Sequence, residues 1–132
     1  DIAAKVWTEV ERAKGTLTPP PVLDITDGGR MLKAAFPDGR SFELPAEMLR
    51  VMSPSAEVQG HSPDQRVTVA RKKNVRISDL KGVGNYATRI TFDDGHNTGL
   101  FTWGYLHLLG KEKDQRWQAY LNELAAKRLS RE

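Results

Sequence analysis

From residue 21 onward, hydrophobic and polar positions alternate with a period of two, which is typical of strands with one buried face. The apolar positions form three short runs: Leu23 and Ile25; Leu32, Ala34 and Phe36; Phe42 and Leu44. Turn sequences separate the runs at Asp27-Gly28-Gly29 and at Asp38-Gly39. The pattern predicts a three-stranded antiparallel meander. Pro45 suits the first position of a short helix that continues to Met52.

A second stretch repeats this order of elements. Strands are predicted around 75–80, 86–92 and 98–101, with a turn at 82–85 and a hairpin turn at Asp94-Gly95. Thr102 is predicted to cap a helix that stops at Gly110.

The two stretches can be aligned on their hairpin turns. Phe36-Pro37-Asp38-Gly39-Arg40 matches Phe92-Asp93-Asp94-Gly95-His96, and the return strand is displaced by one residue. We therefore predict an α+β fold with two pseudo-repeated antiparallel β-hairpin or meander units. Each unit is followed by a short helix, and both units bury their apolar faces in one core.

Further helices are predicted at both ends of the chain. Residues 1–20 comprise an amphipathic helix over 2–14 and a stiff proline tether, and residues 21–110 form the domain of two units. Residues 111–132 form a C-terminal amphipathic helix. Its apolar side is predicted to contain Trp117, Leu121, Leu124, Ala125 and Leu129. Residues 53–74 are predicted to be irregular, with a capped helical turn at 53–57 and an edge strand near Val67 and Val69.

Composition limits the classes of function. With 132 residues the chain fits one core, and it has no apolar run that could span a bilayer. The absence of cysteine excludes disulfides, thiolate zinc sites and cysteine nucleophiles, and it fits a cytoplasmic protein. The net charge of +3 is too small to indicate nucleic-acid binding.

Asp93, Asp94 and His96 are the strongest candidates for chemistry. Carboxylate and imidazole groups are ordinary ligands for iron, manganese or zinc, and His61 in a glycine-containing loop is a further candidate ligand. The alternative is that Asp94-Gly95 only forms the hairpin turn. Asp-Gly is among the strongest hairpin signals, which favours this alternative. In the first unit Asp38-Gly39 makes the same turn with Arg40 where His96 stands, so the turn does not require histidine. His96 is then either an ordinary surface residue or the one position with a function. If a cofactor binds, iron or zinc is the expected class.

No complete catalytic constellation is present in the sequence. Gly82-Val83-Gly84 lacks the downstream residues of a phosphate-binding loop, and there is no serine elbow. The basic run from Arg71 to Arg76 could contact phosphates, although a solvated loop is the more ordinary interpretation. His107 is interpreted as a packed helix residue. We therefore expect a protein that is not an enzyme.

Several segments resemble the gamma-butyrobetaine hydroxylase N-terminal-like domain. They are Leu44–Arg50, Ser53–His61, Val83–Ala87 and the stretch from Phe92 to Trp103, and the resemblance covers about residues 21–110. In the hydroxylases, such a domain precedes an oxygenase domain and holds a structural zinc with three cysteines and one histidine. His96 matches the zinc histidine, whereas the stretch matching the cysteines, near 52–56, contains none.

Similar domains also occur alone in bacteria and attached to P-loop ATPases of iron-sulfur cluster assembly. The resemblance implies a cytoplasmic accessory role near iron or cluster chemistry. The first hypothesis is a non-enzymatic binding module with a protein partner, linked to a metal through His96 with Asp93, Asp94 or His61. The second is a detached regulatory or substrate-binding domain of an iron- and 2-oxoglutarate-dependent oxygenase. The third is weak nucleic-acid binding through 71–76. The oligomeric state stays open.

Overall fold

The computed structural model describes residues 20–59 and 67–132. The helix predicted over 2–14, most of the proline tether and His61 lie outside the described residues. The first unit begins with strand β1 (Val22–Thr26), a 3-10 turn (Asp27–Gly29) and strand β2 (Met31–Ala35). Strand β3 (Ser41–Pro45) and the short helices α1 (Ala46–Val51) and α2 (Ala56–Gln59) complete it.

The second unit has the same order of strands. It comprises β4 (Ile77–Val83), β5 (Ala87–Phe92), β6 (Leu100–Thr102) and helix α3 (Trp103–Lys111), and helix α4 (Lys113–Ala126) follows. Each unit forms a three-stranded antiparallel sheet, in the orders β1-β2-β3 and β4-β5-β6. The predicted α+β fold of two meander units is confirmed. Among the described residues, no helix combines the length and apolarity needed to cross a bilayer.

The two hairpin turns have the same backbone hydrogen bonds. In the first turn the Gly39 N–H donates to the Phe36 carbonyl at 3.1 Å, and in the second the Gly95 N–H donates to the Phe92 carbonyl at 3.0 Å. Both glycines have left-handed backbones, with φ of +90° and +93°. Glycine adopts such angles without steric cost, so the sequence similarity of the two turns reflects a shared backbone geometry.

The entry from the third strand into the helix is also shared. Thr102 accepts a hydrogen bond from the Tyr105 N–H at 3.1 Å, which confirms it as the cap of α3. In the first unit the equivalent position is Pro45, which was predicted to be the first helical residue. Pro45 instead has extended ψ (142°) and belongs to β3, so α1 begins one residue later at Ala46.

One hydrophobic core unites the two units. The buried residues come from both sheets and from helices α1, α3 and α4. Sheet positions include Leu32, Ala34, Leu44, Ile77, Ile90, Phe92 and Phe101, with Phe36 directly after β2. Helix positions include Met48, Leu49, Leu106, Leu109, Tyr120 and Leu124. Helix α3 of the second unit contacts β3 of the first sheet, so the other unit takes part in burying the apolar face of that sheet.

The C-terminal helix agrees in part with its predicted face. Leu124 is buried, and Trp117 and Leu121 are partly buried and packed against the core. Ala125 is exposed, and Leu129 lies beyond the end of the helix. The fully buried stripe is Arg116, Tyr120 and Leu124. Arg116 is almost fully buried beside the Glu112 carboxylate at 3.2 Å, and burial lowers the pKa of Arg116 to about 10. Apolar spacing could not find this stripe, because one of its members is an arginine.

The prediction of an edge strand near Val67 and Val69 is wrong. Residues 67–70 contain no strand, because other elements take up their backbone groups. The Val67 N–H donates to the Val58 carbonyl at 2.7 Å, and the Val69 carbonyl accepts from the Tyr120 hydroxyl at 2.6 Å. This segment therefore ties α2 to α4 and does not extend a sheet.

Gly110 was predicted to stop α3, but the helix continues to Lys111. The glycine serves close packing, because a Cβ atom at this position would lie 2.2 to 2.6 Å from ring atoms of Phe42. The face of α3 around Gly110 thus rests directly on the first sheet.

We expect Gly110→Ala to destabilise the domain by about 1–3 kcal/mol, because the Phe42 ring must move, and this outweighs the better helix propensity of alanine. Urea denaturation measures the effect. Gly82→Ala is the matched control, since its Cβ would meet no atom within 4 Å. The double variant of Gly110→Ala with Phe42→Leu should recover much of the lost stability. A Gly110→Ala variant as stable as wild type would contradict the close packing of Gly110 on Phe42.

Candidate functional site

His96 lies in a buried polar group that we call the Ser-His cluster: Ser53, Ser55 and His96. The three residues are only 0%, 4% and 6% exposed. The Nε2 atom of His96 is 3.0 Å from the Ser53 Oγ and 3.3 Å from the Ser55 Oγ. Since His96 belongs to the turn after β5 and the serines follow α1, the cluster joins the two units.

The serine segment is held by further hydrogen bonds to both units. The Gln59 side chain donates to the Ser53 carbonyl at 2.9 Å, and the Tyr105 hydroxyl donates to the Met52 carbonyl at 2.7 Å. Both Gln59 and Val58 donate their backbone N–H groups to the Ser55 carbonyl, which forms the turn of α2. The predicted helical turn near 53–57 is therefore present and starts at Ala56.

The contact between Ser53 and His96 has the length found between a catalytic nucleophile and its base. A nucleophile must also reach a substrate, and Ser53 is completely buried. A Cβ atom on Gly99 would come within 2.2 Å of the Ser53 Oγ, so the backbone already fills the space in front of the hydroxyl. The pair can therefore hold the fold together but cannot attack a bound molecule.

The carboxylates of the two hairpin turns form what we call the crossed turn contacts. Asp94, in the second unit, accepts a hydrogen bond from Arg50 Nε of α1 at 2.8 Å. Asp38, in the first unit, bonds with His107 Nε2 of α3 at 2.8 Å. Each turn is thus fastened by the helix of the opposite unit. Lys72 adds a second ion pair to Asp94 at 2.5 Å.

These contacts hold the turn carboxylates in the ionised form. Burial alone raises the pKa of Asp94, but hydrogen bonds from Lys72, the His96 backbone and Arg50 outweigh it and lower the pKa to about 2. For Asp38 the backbone N–H of Arg40 and the His107 side chain lower the pKa. Both aspartates are therefore anions at neutral pH.

The predicted metal ligands have different neighbours. Asp93 Oδ1 accepts from the Arg76 N–H at 3.0 Å, Asp94 contacts Arg50 and Lys72, and the His96 ring contacts the two serines. Across 20–59 and 67–132, no three or more His, Cys, Asp or Glu side chains are grouped to hold a metal ion. His61 lies outside these residues, so a site that includes it stays a prediction.

The zinc implied by the family resemblance does not fit the Ser-His cluster. Structural zinc is held by four good donors, chiefly thiolates and imidazoles. The cluster offers one imidazole and two neutral hydroxyls, which are already within hydrogen-bond distance of that imidazole. The donor set therefore lacks the anionic ligands that such a site requires.

A second polar feature, the mixed-charge cleft, lies beside the hairpin turn of the second unit. It has a volume of about 570 Å³ and is lined by Arg71–Val75, Asp93, Asp94, Arg131 and Glu132. Several of its charges are paired: Lys72 with Asp94, and Lys73 with Glu132 at 2.6 Å. Arg131 forms two hydrogen bonds of 2.7 and 2.8 Å with the Glu47 carboxylate.

Arg71 differs from the other cations of the cleft. It is exposed and has a left-handed backbone with φ of +61°, which non-glycine residues seldom adopt. Its N–H donates to the Ser130 carbonyl at 2.9 Å, and the Lys73 N–H donates to the Arg131 carbonyl at 3.0 Å. The C-terminal residues therefore hold the basic run in place.

Sequence reasoning missed the serines as partners of His96 and the pairing of Asp38 with His107. A signal existed for the serines, since the resemblance had already assigned 52–56 and His96 to one site. For the crossed turn contacts the only signal was the repeat itself, which gave Asp38 and Asp94 equivalent positions.

Comparison with known proteins places this architecture in a recognised group. A family model described as "Gamma-butyrobetaine hydroxylase-like, N-terminal" matches residues 23–107. Two NMR solution structures are 43% identical in sequence to this chain. The match to the first covers 88% of this chain and 92% of the matched chain, with a TM-score of 0.76. The match to the second covers 89% of this chain and 88% of the matched chain, with a TM-score of 0.75.

A more distant match is a 1.93 Å crystal structure of a protein with unknown function of the DUF971 family from Acidithiobacillus ferrooxidans ATCC 23270. It is 33% identical and covers 68% of this chain and 91% of its own, with a TM-score of 0.56. No curated protein matches this chain.

We expect Asp94→Asn to destabilise the domain at neutral pH by about 1 kcal/mol, a value reduced for the solvent exposure of the turn. The folded pKa of Asp94 lies below its usual value, so its stabilisation is present above about pH 4 and is lost as the pH falls toward 2. Urea unfolding of both proteins between pH 7 and pH 2 should show the difference shrinking with acid. A difference that stays constant down to pH 2 would show that Asp94 acts by something other than its charge.

Proposed function

The chain belongs to the gamma-butyrobetaine hydroxylase-like N-terminal family, and on that premise we propose that it is a non-enzymatic accessory module of the cytoplasm. Its task is to bind a protein partner, and its contact surface is the mixed-charge cleft. The absence of cysteine supports a reducing compartment.

Support for a non-enzymatic role comes from the polar side chains near the second hairpin turn. Asp94 is ionised and held by Arg50 and Lys72, and His96 is enclosed with two serines. A general acid or base needs access to substrate and a pKa near the working pH, and the pKa of Asp94 is about 2. These groups stabilise the turn that forms one wall of the cleft.

The cleft is the observation that carries the proposal. It is open, has side chains of both charges along its walls, and lies where the basic run, a hairpin turn and the C-terminal residues meet. Charges of both signs give orientation and specificity in polar protein interfaces, whereas apolar ligand pockets are mostly enclosed and lined by hydrophobic residues. A polar protein segment therefore fits this cleft better than a small apolar ligand does.

Arg71 is the residue best placed for recognition. Unusual backbone angles at non-glycine residues cost about 1–3 kcal/mol and are concentrated at functional sites. Arg71 has such an angle at the rim of the cleft, and its side chain is exposed. A carboxylate of the partner is the group that a rim arginine recognises best, since its planar guanidinium can form two parallel hydrogen bonds.

The regulatory domain of an iron- and 2-oxoglutarate-dependent oxygenase is the second candidate. The description of the matching family favours it. On this hypothesis the oxygenase chain itself is the partner, and turnover appears only when that chain is added.

Nucleic-acid binding is less well supported. Lys72 and Lys73, two cations of the basic run, are paired with Asp94 and Glu132, which reduces the charge available to phosphates. Binding that fell steeply with rising salt would favour this reading over a protein partner.

We expect a photo-crosslinking residue at Asn74, inside the cleft, to capture a specific protein from cell extract, identified by mass spectrometry. The same residue at Arg40, in the equivalent hairpin turn of the other unit, is the control and should not capture it. Equal capture at both positions, or capture of RNA alone, would contradict the proposal.

For the purified partner, we expect Arg71→Glu to weaken binding at least tenfold by isothermal titration calorimetry, because it reverses the charge at the rim. Arg71→Gly should also weaken binding while keeping a Tm at or above that of wild type, since glycine accepts the left-handed backbone. This second variant separates recognition from folding. Full affinity in a stable Arg71→Gly variant would exclude Arg71 from the interface.

A further inference from the structure

We propose that the Ser-His cluster takes the place of a metal ion in this chain, so that hydrogen bonds alone fasten the serine segment to the second unit. The inference is independent of the proposed function. It concerns how residues 52–59 are held against the turn after β5.

The position of the cluster is suited to fastening. Ser53 and Ser55 lie in the connection between α1 and α2, and His96 lies more than forty residues away in the other unit. The His96 imidazole nevertheless contacts both serine hydroxyls. A metal ion with ligands from such distant segments contributes directly to folding. Here the same two segments are joined through hydroxyl and imidazole groups.

Burial gives these hydrogen bonds their importance. All three side chains are shielded from water, so a hydroxyl or ring nitrogen that lost its partner could not be compensated by solvent. The backbone of Gly99 lies against the Ser53 hydroxyl, which fixes that side chain in place. The Ser53 hydroxyl is therefore packed against the Gly99 backbone as well as being in contact with the imidazole.

The chemistry of the donors argues in the same direction. Zinc binding requires deprotonated thiolates, neutral imidazoles or carboxylates, and serine hydroxyls stay protonated at neutral pH. Within the described residues no set of three or more such ligands is grouped around His96 or elsewhere. One imidazole with two hydroxyls would hold zinc or iron far more weakly than a structural site does.

The direct test is the metal content and metal response of the wild-type chain. After incubation with Zn(II) or Fe(II) and dialysis, inductively coupled plasma mass spectrometry should find far less than one metal ion per chain. The Tm should be the same with and without EDTA. Close to one bound ion per chain, or a Tm that falls several degrees in EDTA, would overturn the proposal.

A gain-of-binding variant tests the geometry. Ser53→Cys with Ser55→Cys places two thiols beside the imidazole, and we expect it to bind Co(II) with the absorption of thiolate ligands. Ser41→Cys with Ser130→Cys, at exposed positions in β3 and after α4, is the control and should bind far more weakly. If the folded Ser53→Cys and Ser55→Cys variant bound Co(II) no better than this control, positions 53, 55 and 96 would not form one centre, and the proposal would be contradicted.

A loss-of-contact pair tests the role of the hydrogen bonds and does not depend on folding of the cysteine variants. Ser53→Ala with Ser55→Ala should lower the Tm by several degrees, while Ser41→Ala with Ser130→Ala should leave it nearly unchanged. An unchanged Tm in the cluster variant would show that these bonds do not fasten the segment, and the proposal would fail.

Discussion

The ion pair between Asp94 and Arg50, together with the hydrogen-bonded contact between Asp38 and His107, fastens the two halves of the domain to each other. Each contact joins the hairpin turn of one unit to the helix of the other, at 2.8 Å in both cases. Helix α3 of the second unit also contacts β3 of the first sheet, and residues of both units form the common core. Each unit therefore contributes contacts to the other.

These contacts engage side chains that the sequence had indicated as candidates for chemistry. The second turn needs its carboxylate for Arg50 and Lys72, and His96 needs Ser53 and Ser55. Asp94 and Lys72 also line the mixed-charge cleft. Under the proposed function, charges of both signs along the cleft select the protein partner.

Much of the fold could be predicted from sequence, because strand periodicity and turn residues are local signals. The capping role of Thr102 was predicted correctly, and the Asp-Gly turns share the same hydrogen bonds. Long-range packing was not predictable in this way. Gly110 resembles a helix stop, yet it serves the approach of Phe42, and Arg116 lies on a buried stripe where spacing rules expect apolar residues. The partners of His96 were missed as hydrogen-bonding groups, because serine without cysteine does not by itself indicate a site, and only the family resemblance placed 52–56 and His96 together.

Native-state hydrogen exchange tests most directly whether the two units form one cooperative body. The amides of the central strands β2 and β5 belong to different units, and local opening of either unit alone would expose one set before the other. We expect both sets to exchange with the same free energy, equal to the free energy of global unfolding measured with urea. Exchange from one central strand at a clearly lower free energy would contradict it, because the crossed turn contacts would then not join the halves.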